Sequence, residues 1–139
     1  MVRRYDNNEP GHQTVMAVCA DPSNTIVASR LMRLEVYSAI QRKRFERRIT
    51  PQQAESRWAL FLYHEAEQYL LVDVDHVVFR RAESLLRRHH PLRAADAIHV
   101  ATALTLLTAQ PTLDLVFVTA DRRQADAALA EGLAVQFVA

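Results

Sequence analysis

The sequence predicts an α/β fold with a mostly parallel sheet. Short apolar runs alternate with longer segments of helical period, as β-α units require. The runs are rich in Val, Ile, Leu and Phe, as strands covered on both faces tend to be. With 139 residues, half of them hydrophobic, and only two glycines, the chain can bury a core as one folded domain over residues 1–139.

The elements follow in order. Thr25 to Ala28 reads as a strand, and Ser29 can cap a helix from about Arg30 to Arg48. Leu31, Leu34, Glu35 and Ser38 share one side of that helix, which turns Glu35 inward. Thr50-Pro51-Gln52-Gln53 offers a capping hydroxyl, a proline at the first helical position and a glutamine to reach back, so the next helix runs from about Pro51 to Gln68. Tyr69 to Val74 is the second strand. Asp75 can cap a helix from His76 to about Arg88, where Arg87, Arg88 and His89 suit the negative end of the dipole. Pro91 interrupts, and a helix from about Leu92 to Ala109 follows. It sets Leu92, Asp96, His99, Val100, Ala103 and Leu107 on one stripe, so Asp96 points along the apolar face. Leu115 to Thr119 is the third strand. Arg122 to Glu131 forms a short helix that Gly132 ends, and Val135 to Val138 is the last strand. All four strands read as buried.

Composition excludes several classes. A formal net charge of +1 leaves no global electrostatic footprint for nucleic acid; the basic segment Arg42, Lys43, Arg44, Arg47, Arg48 is local and reads first as a solvated helix face, with a phosphate-contacting edge as the second reading if the chain is a nuclease. The single cysteine, Cys19, has no partner for an internal disulfide or a metal cluster and reads as a buried structural thiol. No run approaches the roughly 20 apolar residues that cross a bilayer, and the N-terminus has no apolar core of a signal peptide, so no membrane role is expected and the cytoplasm is the expected location.

The chemistry is expected at acids. A carboxylate facing a core is costly unless it is paired, neutralised or bound to a cation, and Glu35 and Asp96 both face one. Asp121 comes two residues after the apolar strand LVFVT, where ligands of open α/β sheets collect, and helices that follow parallel strands begin at that same end. An all-oxygen cluster of Glu35, Asp96 and Asp121 would favour Mg²⁺ or Mn²⁺ over Zn²⁺, and hard cations point to phosphate chemistry. Thr119 could add a hydroxyl. Plainer roles remain open: Asp121 as a helix cap, Glu35 paired with Arg30 or Arg33, Asp96 with Arg93 as the cation nearest its stripe. His99 reads as a partly buried histidine bonded to a neighbour, and Trp58, Phe61 and Tyr63 as core or partner surface.

These segments resemble a known family. LRAADAIHVATAL at Leu92 to Leu104 is similar to the third acidic motif of PIN domains, and VFVTADRRQADAALAEGL at Val116 to Leu133 to the fourth. SRLMRLEVYSAI at Ser29 to Ile40 is similar to the helix that carries the second acid. The nearest likeness is to VapC-type toxins of bacterial toxin-antitoxin pairs. The resemblance implies a three-layer α/β/α fold and a Mg²⁺- or Mn²⁺-dependent endoribonuclease (a hydrolase) acting on tRNA or other structured RNA. It also implies a VapB-type antitoxin over the site and a homodimer. By position, Glu35, Asp96 and Asp121 become metal-site acids and Thr119 a supporting residue.

Family members usually open with a central strand whose aspartate is the first metal ligand, and here VRRYDNNEPGH resembles the helix and loop that follow it. Asp6 matches the loop and is not promoted to the vacant position. The strand's absence would leave unpaired edges. A start placed too late, a decayed copy, or a slot filled by another segment or chain would each account for it; the first is preferred and predicts an Asp-bearing apolar strand encoded upstream. The competing function is a PIN-like scaffold that binds an antitoxin and cannot hold metals. A phosphoacceptor signalling domain fits less well, because the single lysine, Lys43, lies late on a helix in an arginine run.

Overall fold

The computed structural model describes residues 1–138. The chain is α/β, and it divides into two compact units, Met1–Leu71 and the part from Val72 on. The strands pair as two two-stranded sheets, β1 with β2 and β3 with β4. No described helix is long and apolar enough to cross a membrane.

The N-terminal unit begins with a 3₁₀ turn, Val2–Tyr5, and continues through α1 (His12–Ala20), β1 (Ile26–Ser29), α2 (Leu31–Phe45), α3 (Pro51–Gln68) and β2 (Tyr69–Val72). Its core gathers Tyr5, Met32, Val36, Ile40, Ala54, Phe61 and Tyr69. Aromatic rings fill the centre: Trp58 stacks on Phe61 at 5.0 Å between centroids, and Tyr5 meets Phe61 edge-on at 5.6 Å. The start of α3 has the expected capping box. Thr50 Oγ1 accepts from the Gln53 N–H (3.1 Å), and Gln53 Oε1 accepts from the Thr50 N–H (2.8 Å). Thr50→Ala is expected to cost about 1 kcal/mol in urea unfolding; a change below a few tenths would mean that the α3 terminus does not need its cap.

Helix α2 differs from expectation in rotation and in length. Its buried stripe is Met32, Val36, Ala39, Ile40 and Lys43, while Leu34 is 65% exposed and Glu35 is only half-buried. The helix therefore packs on the i, i+4, i+7 row through Val36, not on the row through Leu34. Ser29 Oγ accepts from the Leu31 N–H (3.1 Å), as a capping hydroxyl should. At the other end the Arg47 N–H bonds to the Arg44 carbonyl (3.0 Å) and the Arg48 N–H to the Lys43 carbonyl (2.9 Å), with Arg47 at φ 57°. This is a Schellman turn, and it stops the helix at Phe45, three residues before the expected Arg48.

Lys43 corrects the reading of the basic segment as wholly solvated. It is 4% exposed and its ammonium is held by Asp6 and by Glu9 (2.6 Å). Arg57 stands 3.5 Å from the same Asp6 carboxylate. Burial pushes the Asp6 carboxyl up, but Lys43, the Asn8 N–H and Arg57 outweigh it and hold it below the usual range. Cys19 is half-buried instead of fully enclosed, and burial pushes its thiol up.

The C-terminal unit contains α4 (His76–Arg88), α5 (Ala94–Ala109), β3 (Val116–Thr119), α6 (Arg122–Ala130) and β4 (Ala134–Phe137). Asp75 Oδ1 caps α4 by accepting from the Val77 and Val78 N–H groups, both at 3.0 Å. Helix α5 starts at Ala94, two residues after the expected Leu92, with Arg93 in extended conformation as its cap position. Val78, Leu85, Ala97, Val100, Ala101, Ala128 and Leu133 make the core.

β3 and β4 are parallel, with Val116 opposite Ala134, Phe117 opposite Val135 and Val118 opposite Gln136. Phe117 and Val135 pack on the core, whereas Val116 and Val118 are exposed. In β1 and β2, Val27 and Leu70 are exposed as well. The expectation of fully buried strands is therefore corrected. Side chains alternate across a sheet, and in both sheets one set of alternate residues remains open to solvent.

Candidate metal centre

The C-terminal unit brings Asp96, Thr119 and Asp121 into one hydrogen-bonded network. Asp121 follows β3 and caps α6, its Oδ1 accepting from the Arg123 N–H (2.8 Å). The Arg123 guanidinium folds back on the same carboxylate, donating from Nε to Oδ1 (3.1 Å) and from Nη2 to Oδ2 (2.5 Å). This pairing holds the Asp121 carboxyl below the usual carboxylate range.

Asp96 is 7% exposed near the start of α5. Its Oδ2 accepts from the Arg93 N–H (3.1 Å), which closes the first turn, and its Oδ1 accepts from Gln124 Nε2 (3.0 Å). Arg123 Nε lies 3.7 Å from Asp96 Oδ2, so one guanidinium serves both acids. Thr119 joins the two halves: its hydroxyl donates to Gln124 Oε1 (2.7 Å) and accepts from the Asp121 N–H (3.1 Å).

Arg123 and Gln124 were not among the expected site residues. The plainer reading of Asp121 as a helix cap is correct as far as it goes, and the cation beside Asp96 is Arg123, while Arg93 meets it through its backbone N–H. The available signal was position: in ADRRQ, a cation and an amide occupy the first turn of the helix opened by the strand-end acid.

Glu35 belongs to the N-terminal unit, half-buried on α2. Burial lowers the Met1 amino group and Cys19 and Glu35 oppose that effect, so Glu35 makes itself felt at the chain's first residue. Arg33, one of its expected partners, pairs with Glu65. His99 is partly buried, as expected. Of the ring-bearing residues on α3, Phe61 is core and Tyr63 is largely exposed.

In the C-terminal unit Asp121 stands where α6 follows the parallel strand β3, the end at which ligands of open α/β sheets collect. The family model described as PIN domain matches residues 2–129, and the chain belongs to the PIN-domain family, whose members are generally metal-dependent nucleases. No curated protein and no solved structure matches the chain.

The donor chemistry suits the divalent ion that the family uses. Asp96, Thr119 and Asp121 present only oxygen, and Asp96 and Asp121 already share one positive group, as two ligands of a hard cation do. Among the described residues, no group of three or more His, Cys, Asp or Glu side chains gathers. The C-terminal unit sets two carboxylates, Asp96 and Asp121, on one guanidinium.

Proposed function

We propose that the chain is a metal-dependent endoribonuclease toxin of a VapBC-type toxin-antitoxin pair, hydrolysing RNA phosphodiester bonds in the cytoplasm. The observation that carries this reading is the Asp96–Asp121 pair around one cation beside the end of β3, in a chain of the PIN family. When bound, Mg²⁺ or Mn²⁺ supplies Lewis-acid stabilisation of charge at phosphorus and lowers the pKa of attacking water. Asp96 and Asp121 would hold the ion. Gln124 and Thr119 fix the carboxylates' orientation, the kind of support that metal ligands ordinarily require. Glu35 joins the set on the resemblance of its helix. Arg123, paired with both acids, would have to release them to a divalent ion. The expected partners are structured RNA such as tRNA, a VapB-type antitoxin and a second copy of the chain.

A scaffold that binds an antitoxin without holding metals is the second reading, favoured by the guanidinium already paired with both acids. Incubating the purified chain with labelled tRNA separates the two. Cleavage in Mn²⁺ that EDTA abolishes supports the nuclease; intact RNA together with no heat of Mn²⁺ binding in calorimetry supports the scaffold.

A further inference from the structure

The turn between α2 and α3 leaves unusual groups in solvent. Phe45 is 75% exposed, the most exposed of the large hydrophobic side chains, and the Arg44 guanidinium carbon stands 5.4 Å from its ring centroid. Arg42, Arg44, Arg47 and Arg48 are all exposed, and the only acid between Arg42 and Thr50 is Glu46, 3.7 Å from Arg48. Arg44, Phe45, Arg47, Arg48, Thr50 and Gln53 line an open recess of about 620 Å³.

Arg47 occupies the left-handed position of the Schellman turn, where glycine fits without strain. A long cation is thus kept where the backbone would favour no side chain, and strain of this kind gathers at functional positions. The cost of exposing Phe45 points the same way. Lys43 differs from its neighbours because it is buried and paired, so the outward positive charges are all arginines, which present planar donors to phosphate and stack on rings.

We propose that this turn is a single-stranded RNA platform, with one unpaired base stacked on Phe45 and the flanking phosphates held by Arg44, Arg47 and Arg48. The inference deepens the ribonuclease reading and rests on it for the choice of RNA. An acidic peptide would satisfy the arginines and leave the ring without a partner. A nucleotide supplies a π-face and a phosphate together, and every base has such a face, so the contact is tolerant of sequence. Bases within a duplex are already stacked, which directs the platform to loops and ends.

Fluorescence anisotropy of a labelled twelve-nucleotide oligouridylate with the full chain in EDTA measures binding apart from cleavage. Phe45→Ala should weaken binding about ten-fold and Phe45→Tyr should restore it. Replacing Arg44, Arg47 and Arg48 together with Gln should lower the slope of log affinity against log salt by about 2. Arg47→Gly should melt at a higher temperature yet bind less tightly, a split that a purely structural arginine would not produce. Unchanged affinity and salt slope in these variants, no binding by the parent chain, or equal Phe45-dependent binding of polyglutamate would each overturn the proposal. Platform-dependent binding without cleavage in Mn²⁺ removes the nuclease reading and leaves the platform; cleavage with unaltered binding by the variants does the reverse.

Discussion

Lys43→Met is expected to destabilise the N-terminal unit by about 3–5 kcal/mol, the cost of leaving buried charge without its counterpart. Methionine preserves the apolar stem on the Met32–Val36–Ile40 row, so the loss reports the ammonium and not a cavity. Asp6 and Glu9 would then face each other with only Arg57, at 3.5 Å from Asp6, to offset them. Asp6→Asn combined with Lys43→Met should recover much of the loss, because the uncompensated carboxylate goes with its partner. Urea denaturation of the four proteins measures the coupling directly. A single-variant loss below 1 kcal/mol would show that water reaches the cluster and screens it.

The same cluster sets an acid limit. The Asp6 carboxyl is lowered in the folded chain, so its stabilisation is complete above the unfolded value of 3.8 and is lost as pH falls through the folded one. Asp121, lowered by Arg123, and Glu131, lowered first by His89 and then by Arg88, act in the same direction. These three carboxylates should therefore contribute fully from neutrality down to the ordinary carboxylate range and lose that contribution below it, whereas His64, lowered by burial, favours unfolding already as pH falls through its unfolded value of 6.5. Lys43→Met should flatten the Asp6 part of that fall.

The regular elements were legible because their signals are local. Thr50, Pro51 and Gln53 announce α3, Asp75 announces α4, and Gly132, at φ 84°, marks the end of α6. The strand-end position of Asp121 follows from the α/β pattern alone. What sequence periodicity left undetermined is the rotation of a helix whose polar residues can satisfy themselves in a core. Lys43 falls on the Val36–Ile40 row at helical spacing, but a lysine there is read as solvent-facing until its acids, more than thirty residues earlier, are known to meet it. Arg123 was obscure for a related reason. A helix-start arginine has many outward rotamers; Asp121, two residues earlier, binds its guanidinium, and only tertiary placement brings Asp96 to the same group. Strand coverage was misjudged because an apolar run reports the character of both faces without reporting what packs on each.

Asp121→Asn and Asp96→Asn should each lower Mn²⁺-dependent RNA cleavage by at least about a hundred-fold, beyond the 10–100-fold typical of residues that only support a ligand. The structure explains why the fold should survive. Asparagine is as good a helix cap as aspartate, so the Arg123 N–H keeps its acceptor at position 121. At position 96 an amide oxygen can still accept from the Arg93 N–H that closes α5. Two bare acids would gain stability on losing one charge, but here the Arg123 guanidinium already relieves their repulsion; the expected change is a loss under about 1 kcal/mol at the partly exposed Asp121 and about 1–3 kcal/mol at the buried Asp96, where the new NH₂ faces Gln124 Nε2. Large loss of cleavage with limited loss of stability is thus the signature of ligands. Variants that cleave at near-parental rates, or that unfold without regard to Mn²⁺, would reduce both aspartates to a cap and an ion pair. Calorimetric Mn²⁺ titration provides a readout independent of turnover: each substitution should weaken binding, whereas Arg123→Gln should strengthen it by removing the cation with which the metal competes.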